Sequence, residues 1–186
     1  IDIVKIPDLT QFKEDKASGD NDFMTDSGAK AIENTEISIG KNAKNQTVDI
    51  DNLTQEQKEE ISHLYVQGLN QIRRKLGVTN DTSVTKEMIE VASNRAKAYK
   101  ERAQSPLTHG HISLLAGQKL TARTENLAGI APKSELTTMY DLKEAVVDAL
   151  MRTSFADAPS NWGHLENNLY STSNVGLDIA NINGQY

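Results

Sequence analysis

The chain has no cysteine, and this absence excludes several kinds of chemistry at once. Its 186 residues form no disulfide, and they offer neither a catalytic thiol nor a thiolate metal site. A chain without disulfides suits the cytosol. It equally suits the surface of Gram-positive cells, where many domains do without them, so the cellular compartment stays open at this point.

An excess of positive charge and long apolar runs are also missing. The net charge of −6 disfavours non-specific binding to nucleic acid or to anionic membranes, because both need basic patches. No run approaches the roughly 18 apolar residues that a membrane-spanning helix requires, and no signal peptide is visible. The sequence begins abruptly at Ile1, from which we expect a domain excised from a larger protein.

The length of the chain suits one domain with its own core and an additional arm. Residues 1–47 are polar and predict an extended N-terminal arm, with one short helix near Ser27–Asn34 and with Phe23 and Met24 as large apolar anchors. The body comprises residues 48–186. Residues 48–53 alternate apolar and polar side chains, which predicts a short edge strand.

Three helices and one strand are predicted in the body. Thr54 and Gln57 have the spacing of a capping box at the start of a helix over 54–76, which Gly77 ends. Apolar stripes predict further helices over 85–102 and 139–153, while the alternation at 175–180 predicts a half-buried core strand. These elements indicate an α/β fold whose helices flank a small, mainly antiparallel sheet. Trp162 is expected to be a buried anchor of that core.

Residues 105–134 have no helical or strand periodicity, yet they contain His109, His111 and Glu125. A further histidine, His164, directly precedes a helical turn. Imidazoles and a carboxylate on a rigid frame can bind a divalent metal such as zinc, or activate water. Two histidines that flank a glycine are also common as plain loop residues, so spacing alone does not establish a shared site. The sequence contains no phosphate-binding glycine loop, zinc-protease helix motif or serine nucleophile elbow.

Four segments together resemble the CAP superfamily, which includes cysteine-rich secretory proteins, antigen 5 and pathogenesis-related protein 1. Residues 69–77 and 91–99 are similar to its two opening helices. Glu125-Asn126-Leu127-Ala128 resembles its Gly-Glu-Asn-Leu/Ile-Ala signature, with Thr124 where glycine is usual. Gly163-His164, followed by Asn168-Leu169 and Val175-Gly176, resembles its closing motif and last strand. The resemblance implies a CAP-like α-β-α sandwich.

The resemblance is closer to the surface-exclusion domain of Gram-positive cell-surface proteins, including those of conjugative plasmids. Residues 51–54 and 139–143 are similar to that domain, and residues 155–164 are the most specific segment. The similarity covers residues 48–180, whereas the arm matches loosely through Ile6-Pro7. It implies an extracellular domain at the cell surface or cell wall, belonging to a larger surface protein.

In the CAP superfamily a cleft is lined by two histidines and acidic residues. The resemblance implies that His164, Glu125 and either His109 or His111 line the cleft here, as catalytic residues or, for the histidines, as metal ligands. His111 fits better, because Gly110-His111 before Leu114-Leu115 is similar to the Gly-His that precedes a short helix in the superfamily.

The second acid of the superfamily usually follows a tryptophan on the third helix. Residues 150–153 contain no acid, and Asp157 is the nearest substitute. The set of two histidines and two acids that lines the cleft in the superfamily is therefore incomplete at its usual positions. This favours a binding module over an enzyme.

Two functions follow from the resemblance as hypotheses. The first is surface exclusion or adhesion, in which the cleft binds an extracellular protein, a peptide or a cell-wall ligand. The second is a hydrolase such as a peptidase, which would use His111, Glu125 and His164 with a divalent metal or an activated water. Neither hypothesis involves nucleic acid or a membrane span in this segment.

Overall fold

The computed structural model describes residues 1–19, 26–114, 122–171 and 174–186, so Phe23 and Met24 lie outside the described residues. The helices are α1 (Thr10–Ala17), α2 (Ser27–Asn34), α3 (Gln55–Lys75), α4 (Lys86–Arg102), α5 (Pro106–His109), α6 (Met139–Phe155) and α7 (Gly163–Tyr170). The strands are β1 (Ile3–Lys5), β2 (Glu36–Ser38), β3 (Ser83–Val84) and β4 (Asn174–Val175). Short 3₁₀ helices lie at Lys41–Asn45, Lys133–Glu135 and Ala158–Ser160.

The three long helices begin at threonine caps, as local sequence predicts. The Thr54 hydroxyl accepts from the Gln57 N–H at 3.1 Å, and the Gln57 side chain accepts from the Thr54 N–H at 2.9 Å. Gly77 follows the end of α3 with a φ of +90°, a conformation that favours glycine. The expected bounds of α3, α4 and α6 are thus confirmed within about two residues. In the described ranges no helix, α3 included, is both long and apolar enough to cross a membrane.

The helices α3 and α6 pack closely in the centre of the molecule, and a glycine permits their approach. A Cβ atom at Gly68 would lie 2.7 Å from the Leu150 side chain and 3.3 Å from that of Val4. The first core lies around this contact and is built from α1, α2, α3, α6, α7 and β1. A second core lies at the other end of α6 and comprises Ala43, Ile50, Leu53, Ile61, Leu136, Met139, Leu142 and Val146.

The first residues of the chain, 2–6, lie against α3 through a series of hydrogen bonds to glutamine side chains as well as through apolar side chains. The Gln71 amide accepts from the Ile6 N–H at 2.9 Å and donates to the Val4 carbonyl at 2.6 Å. One turn earlier, the Gln67 amide bonds to the Val4 N–H and, at 3.0 Å, to the Asp2 carbonyl. One edge of β1 therefore pairs with β2 and the other with glutamine side chains. The helix α2 coincides with the short helix expected at Ser27–Asn34, whereas α1 was not expected.

The α/β class is confirmed, and the described strand pairings are mainly antiparallel. The strands β1 and β2 are antiparallel, as are the isolated bridges Thr47 to Thr138 and Ile182 to Gln185. The pair of β3 and β4 is parallel.

The core strand expected over residues 175–180 is shorter than predicted, because β4 ends at Val175. Beyond it, side chains rather than a neighbouring strand satisfy the backbone donors. The Leu177 N–H donates to the Ser62 hydroxyl at 3.0 Å, and the Ile179 N–H donates to the Asp178 carboxylate at 2.7 Å. The alternation of side chains correctly indicated half-burial, but the hydrogen-bond partners were not those of a sheet.

The prediction of a strand over residues 48–53 is wrong, since this segment forms a turn. The Asn52 N–H donates to the Asp49 carbonyl at 3.0 Å, and the Asp49 carboxylate accepts from the Asp51 N–H at 3.1 Å. Aspartate and asparagine favour such turns because their short side chains bond to nearby backbone. Here this local preference outweighs the apolar alternation.

We predict that Gly176→Ala destabilises the fold far more than Gly163→Ala. A Cβ atom at Gly176 would lie 2.3 Å from the backbone of Met88 and Ile89, where α4 begins, so one backbone must shift. Overpacking of this kind costs about 1–3 kcal/mol. At Gly163 a Cβ atom would meet nothing within 4 Å. Urea denaturation of both variants measures the difference, and equal midpoints would contradict the close packing of β4 on α4.

Candidate functional site

Glu125 is the most strongly held acidic residue of the site predicted from sequence. Its carboxylate is clamped by the Arg95 guanidinium, with nitrogen–oxygen distances of 2.6 and 3.1 Å, and it accepts from the Tyr99 hydroxyl at 2.6 Å. Arg95 and Tyr99 lie one turn apart on α4, and both are buried. Arg95 also donates to the backbone carbonyls of Ile112 and Ser113, which fixes the loop that carries His111.

These contacts decide the charge of Glu125. Burial by itself raises the pKa of this carboxyl, but the hydrogen bonds from Arg95, Tyr99 and His111 outweigh burial, and the pKa lies below its ordinary value. Glu125 is therefore ionised at neutral pH. Because a general base works best with a pKa near the working pH, Glu125 is poorly suited to take up a proton.

His111, rather than His109, lies against Glu125. The Nδ1 atom of His111 is 2.9 Å from Oε1 of Glu125, and 48% of the His111 side chain is exposed. An ionised carboxylate only accepts, so Nδ1 carries the proton and Nε2 is the ring nitrogen left for a ligand or metal. His109 is exposed and its Nδ1 lies 2.8 Å from the Thr108 hydroxyl. The resemblance implies a short helix after His111, and residues 115–121 of that segment lie outside the described residues.

His164 forms a second pair of imidazole and carboxylate, with Asp157. Its Nδ1 atom is 2.7 Å from Oδ1 of Asp157, while Oδ2 accepts from the Leu165 N–H at 3.0 Å. Asp157 is only 3% exposed. The residue considered as the nearest substitute for the missing acid thus contacts a site histidine directly, although it lies after α6 and not on it.

A left-handed turn places His164 at the beginning of α7. Asn161 and Trp162 have φ values of 52° and 63°, and Trp162 occupies the N-cap position of α7. Such backbone costs about 1–3 kcal/mol for residues other than glycine, so surrounding contacts must hold it. Trp162 is partly buried rather than enclosed, and its ring packs against Phe12 of α1 with centroids 5.7 Å apart. The expectation of a buried anchor was wrong in degree, because only part of the ring reaches the core.

Asn126 connects the two histidine pairs. It follows Glu125 directly, and its amide donates to the His164 carbonyl and to the Asn168 side chain, both at 3.1 Å. Its side-chain oxygen accepts from the Asn167 amide at 2.8 Å. Two neighbouring residues of one loop, Glu125 and Asn126, therefore contact His111 and the helix of His164, which places both pairs on the same part of the molecule.

Each pair presents an imidazole nitrogen of the kind that binds zinc-like ions. In each pair the carboxylate holds Nδ1, an arrangement that orients histidine ligands through their other nitrogen in many metal sites. His111 and His164 would then be the metal ligands, with Glu125 and Asp157 behind them. No group of three or more metal-ligating side chains occurs within the described parts of the chain.

Several residues of the site were not identified from sequence. Arg95 and Tyr99 were placed in helix patterns, and their bond to Glu125 spans about 30 positions of sequence. One usable signal existed: Arg95 lies four residues before Tyr99 on a buried helix face, where a charged side chain needs a partner. Asn126 and Asn168 formed part of the family pattern, but nothing in their spacing indicated that they bond to each other.

Comparison with known structures shows the class of the fold. The chain has the fold of a CAP domain. It is similar to the solved structure of the CAP domain of Enterococcal PrgA, with a TM-score of 0.59 and 22% sequence identity, over 92% of this chain and 70% of that one. No family model and no curated protein sequence matches the chain.

We predict that Glu125→Gln lowers stability at neutral pH by about 3 kcal/mol, because it leaves the buried Arg95 charge without a counterion. The difference from wild type should shrink in acid. The folded-state pKa of Glu125 lies below the ordinary value of 4.5, so its ionised form stabilises the fold above that pH and ceases to do so as pH falls through the folded-state pKa. Denaturation from pH 3 to 7 tests this, with the exposed Glu144→Gln as control. A pH-independent difference would contradict the assignment.

Proposed function

We propose that the chain is an extracellular surface-exclusion or adhesion domain of a Gram-positive cell-surface protein. Its ligand would be an extracellular protein, a peptide or a cell-wall component. The observation that carries the proposal is the structural similarity to the CAP domain of Enterococcal PrgA over 92% of the chain. The sequence resemblance to surface-exclusion domains supports the same conclusion independently of the coordinates.

The state of Glu125 favours binding over catalysis. Its carboxylate already accepts from Arg95, Tyr99 and His111, and its low pKa keeps it ionised. Proton transfer from water to this group would break a buried ion pair. By contrast, the exposed ring of His111 is held in one orientation, which lowers the entropy cost of contacting a ligand. Glu125 therefore acts as a support for a recognition surface that includes His111 and His164.

The Asp157–His164 pair favours the second candidate function, a hydrolase. A buried carboxylate that holds Nδ1 of a histidine is the arrangement by which many enzymes orient a general base. The side chain of His164 is 26% exposed, so Nε2 could reach a water molecule or a substrate. In this alternative His164 takes a proton from the attacking water, and Asp157 stabilises the resulting imidazolium. His111 binds the substrate or shares a divalent metal with His164.

A cell-binding assay with matched variants tests the proposed function. We expect the domain to bind intact Gram-positive cells or their isolated surface proteins, and His111→Ala/His164→Ala to reduce binding at least tenfold, because oriented groups at the centre of an interface dominate its energy. The exposed histidines His63 and His109 lie outside both pairs, so His63→Ala/His109→Ala is the control. Equal binding by all three proteins would exclude the histidine surface as the contact.

Incubation with a peptide library, with and without a chelator, separates the hydrolase from the binding domain. Cleavage that is lost in His164→Ala would establish the hydrolase. Loss of cleavage in the presence of the chelator would further show that the hydrolase uses a metal. Persistent absence of cleavage, together with binding to cells, would leave the adhesion function.

We predict weak zinc binding that depends on His111 and His164. Two nitrogen ligands give modest affinity, and the affinity should fall in acid because a protonated imidazole cannot bind a metal. Calorimetric titration of wild type against His111→Ala/His164→Ala measures this, with His63→Ala/His109→Ala as control. Identical affinities in wild type and the site variant would exclude the shared metal site without excluding the binding function.

A further inference from the structure

Helix α1 contacts the segment that carries His164, although the two are about 150 residues apart in sequence. Phe12 is 4% exposed, and its ring meets Phe155 and Trp162 edge to face, with centroid distances of 5.1 and 5.7 Å. One turn later, the Lys16 ammonium lies 5.7 Å from the centroid of the Trp162 ring. An apolar ring and a cation of α1 therefore both contact the same indole.

The indole belongs to a residue whose backbone is unfavourable without support. Trp162 has φ 63° and ψ 18°, directly after Asn161 with φ 52°. A bulky side chain in this region is a true outlier, which persists where neighbouring contacts fix it. The ring contacts with Phe12 and Lys16 hold the Trp162 side chain from outside its own turn.

The same turn fixes Asp157, the partner of His164. The Trp162 N–H donates to the Asp157 carbonyl at 3.1 Å, and the Trp162 carbonyl accepts from the Glu166 N–H at 2.8 Å. The Asp157 carboxylate in turn contacts His164 and the Leu165 N–H. A shift of Trp162 thus moves both ends of the Asp157–His164 pair, whereas His111 is held separately through Glu125.

We propose that Phe12 is a positioning residue for His164, so that the N-terminal segment sets the geometry of one half of the site. Loss of the Phe12 ring should loosen the turn at Trp162 and the contact between Asp157 and His164. The His111–Glu125 pair should stay as it is. The inference rests on the geometry of the site and holds whether the domain binds a partner or hydrolyses a substrate.

Amide hydrogen exchange on the full chain provides a local measurement. The Leu165 N–H is held by the Asp157 carboxylate at 3.0 Å, so its exchange rate reports on that group. The Thr82 N–H is held in a similar way by the Asn70 side chain, at 2.8 Å, and is the internal reference. In Phe12→Ala we expect exchange at Leu165 to become about tenfold faster, the factor expected from the loss of an aromatic pair, with Thr82 unchanged.

Two further variants separate positioning from general loss of stability. Phe12→Leu keeps an apolar contact and should restore most of the protection of Leu165. Met139→Ala removes a buried side chain of the second core and should leave the ratio of the Leu165 and Thr82 rates unchanged. In parallel, imidazole resonances should shift for His164 and not for His111 in Phe12→Ala.

The proposal is overturned if the exchange rates of Leu165 and Thr82 rise equally in Phe12→Ala. It is overturned as well if Met139→Ala changes the ratio of these two rates as much as Phe12→Ala does. It is also overturned if Phe12→Ala leaves the resonances of His164 in place. Should Phe12→Ala fail to fold, Lys16→Ala takes its place, because it removes the cation of α1 from the Trp162 ring, and an unchanged ratio in Lys16→Ala would count against the proposal. Failure here leaves the cell-binding result intact, because that assay depends on the histidines and not on Phe12.

Discussion

The arrangement of helices around the site depends on one buried side chain, the amide of Asn168. It makes four hydrogen bonds: its oxygen accepts from Tyr65 and Asn126, and its nitrogen donates to Thr153 and Ser154. These partners come from α3, the Glu125 loop and α6, while Asn168 itself lies on α7. A fully bonded amide inside a core is strongly directional, because a shift of any partner leaves a buried polar atom unpaired.

The main chain at Asn168 takes part in the same network. Its carbonyl accepts from the Arg73 guanidinium at 3.0 Å, and Arg73 is only 1% exposed. Burial lowers the pKa of Arg73 and raises that of Tyr65 to about 12, which keeps the tyrosine neutral and able to donate. Apolar packing alone tolerates small sliding of helices. Bonds of this kind fix α3, α6 and α7 in one register, and the loop of Asn126 with them.

Those parts of the fold that depend on local chemistry could be predicted from sequence. Thr54 and Thr138 begin helices because their partners lie three residues away, and the stripes of α3, α4 and α6 repeat every turn. The end of β4 could not be predicted in the same way, since Ser62 supplies the hydroxyl that replaces a neighbouring strand at Leu177. Likewise, the pairing of Glu125 with Arg95 could not be predicted. The order of α4 and the Glu125 loop along the chain does not show that the two lie side by side in the fold.

The two histidine pairs of the candidate site share a geometry but differ in charge, and this difference follows from the same long-range contacts. Beside His111, the charge of Glu125 is already balanced by Arg95, so the histidine adjoins a neutral pair. Among the described contacts of Asp157, His164 is the one group able to carry a positive charge. The two halves of the site cannot be interchanged. A ligand or metal that contacts both would lie near a neutral ion pair at His111 and near the Asp157 carboxylate at His164.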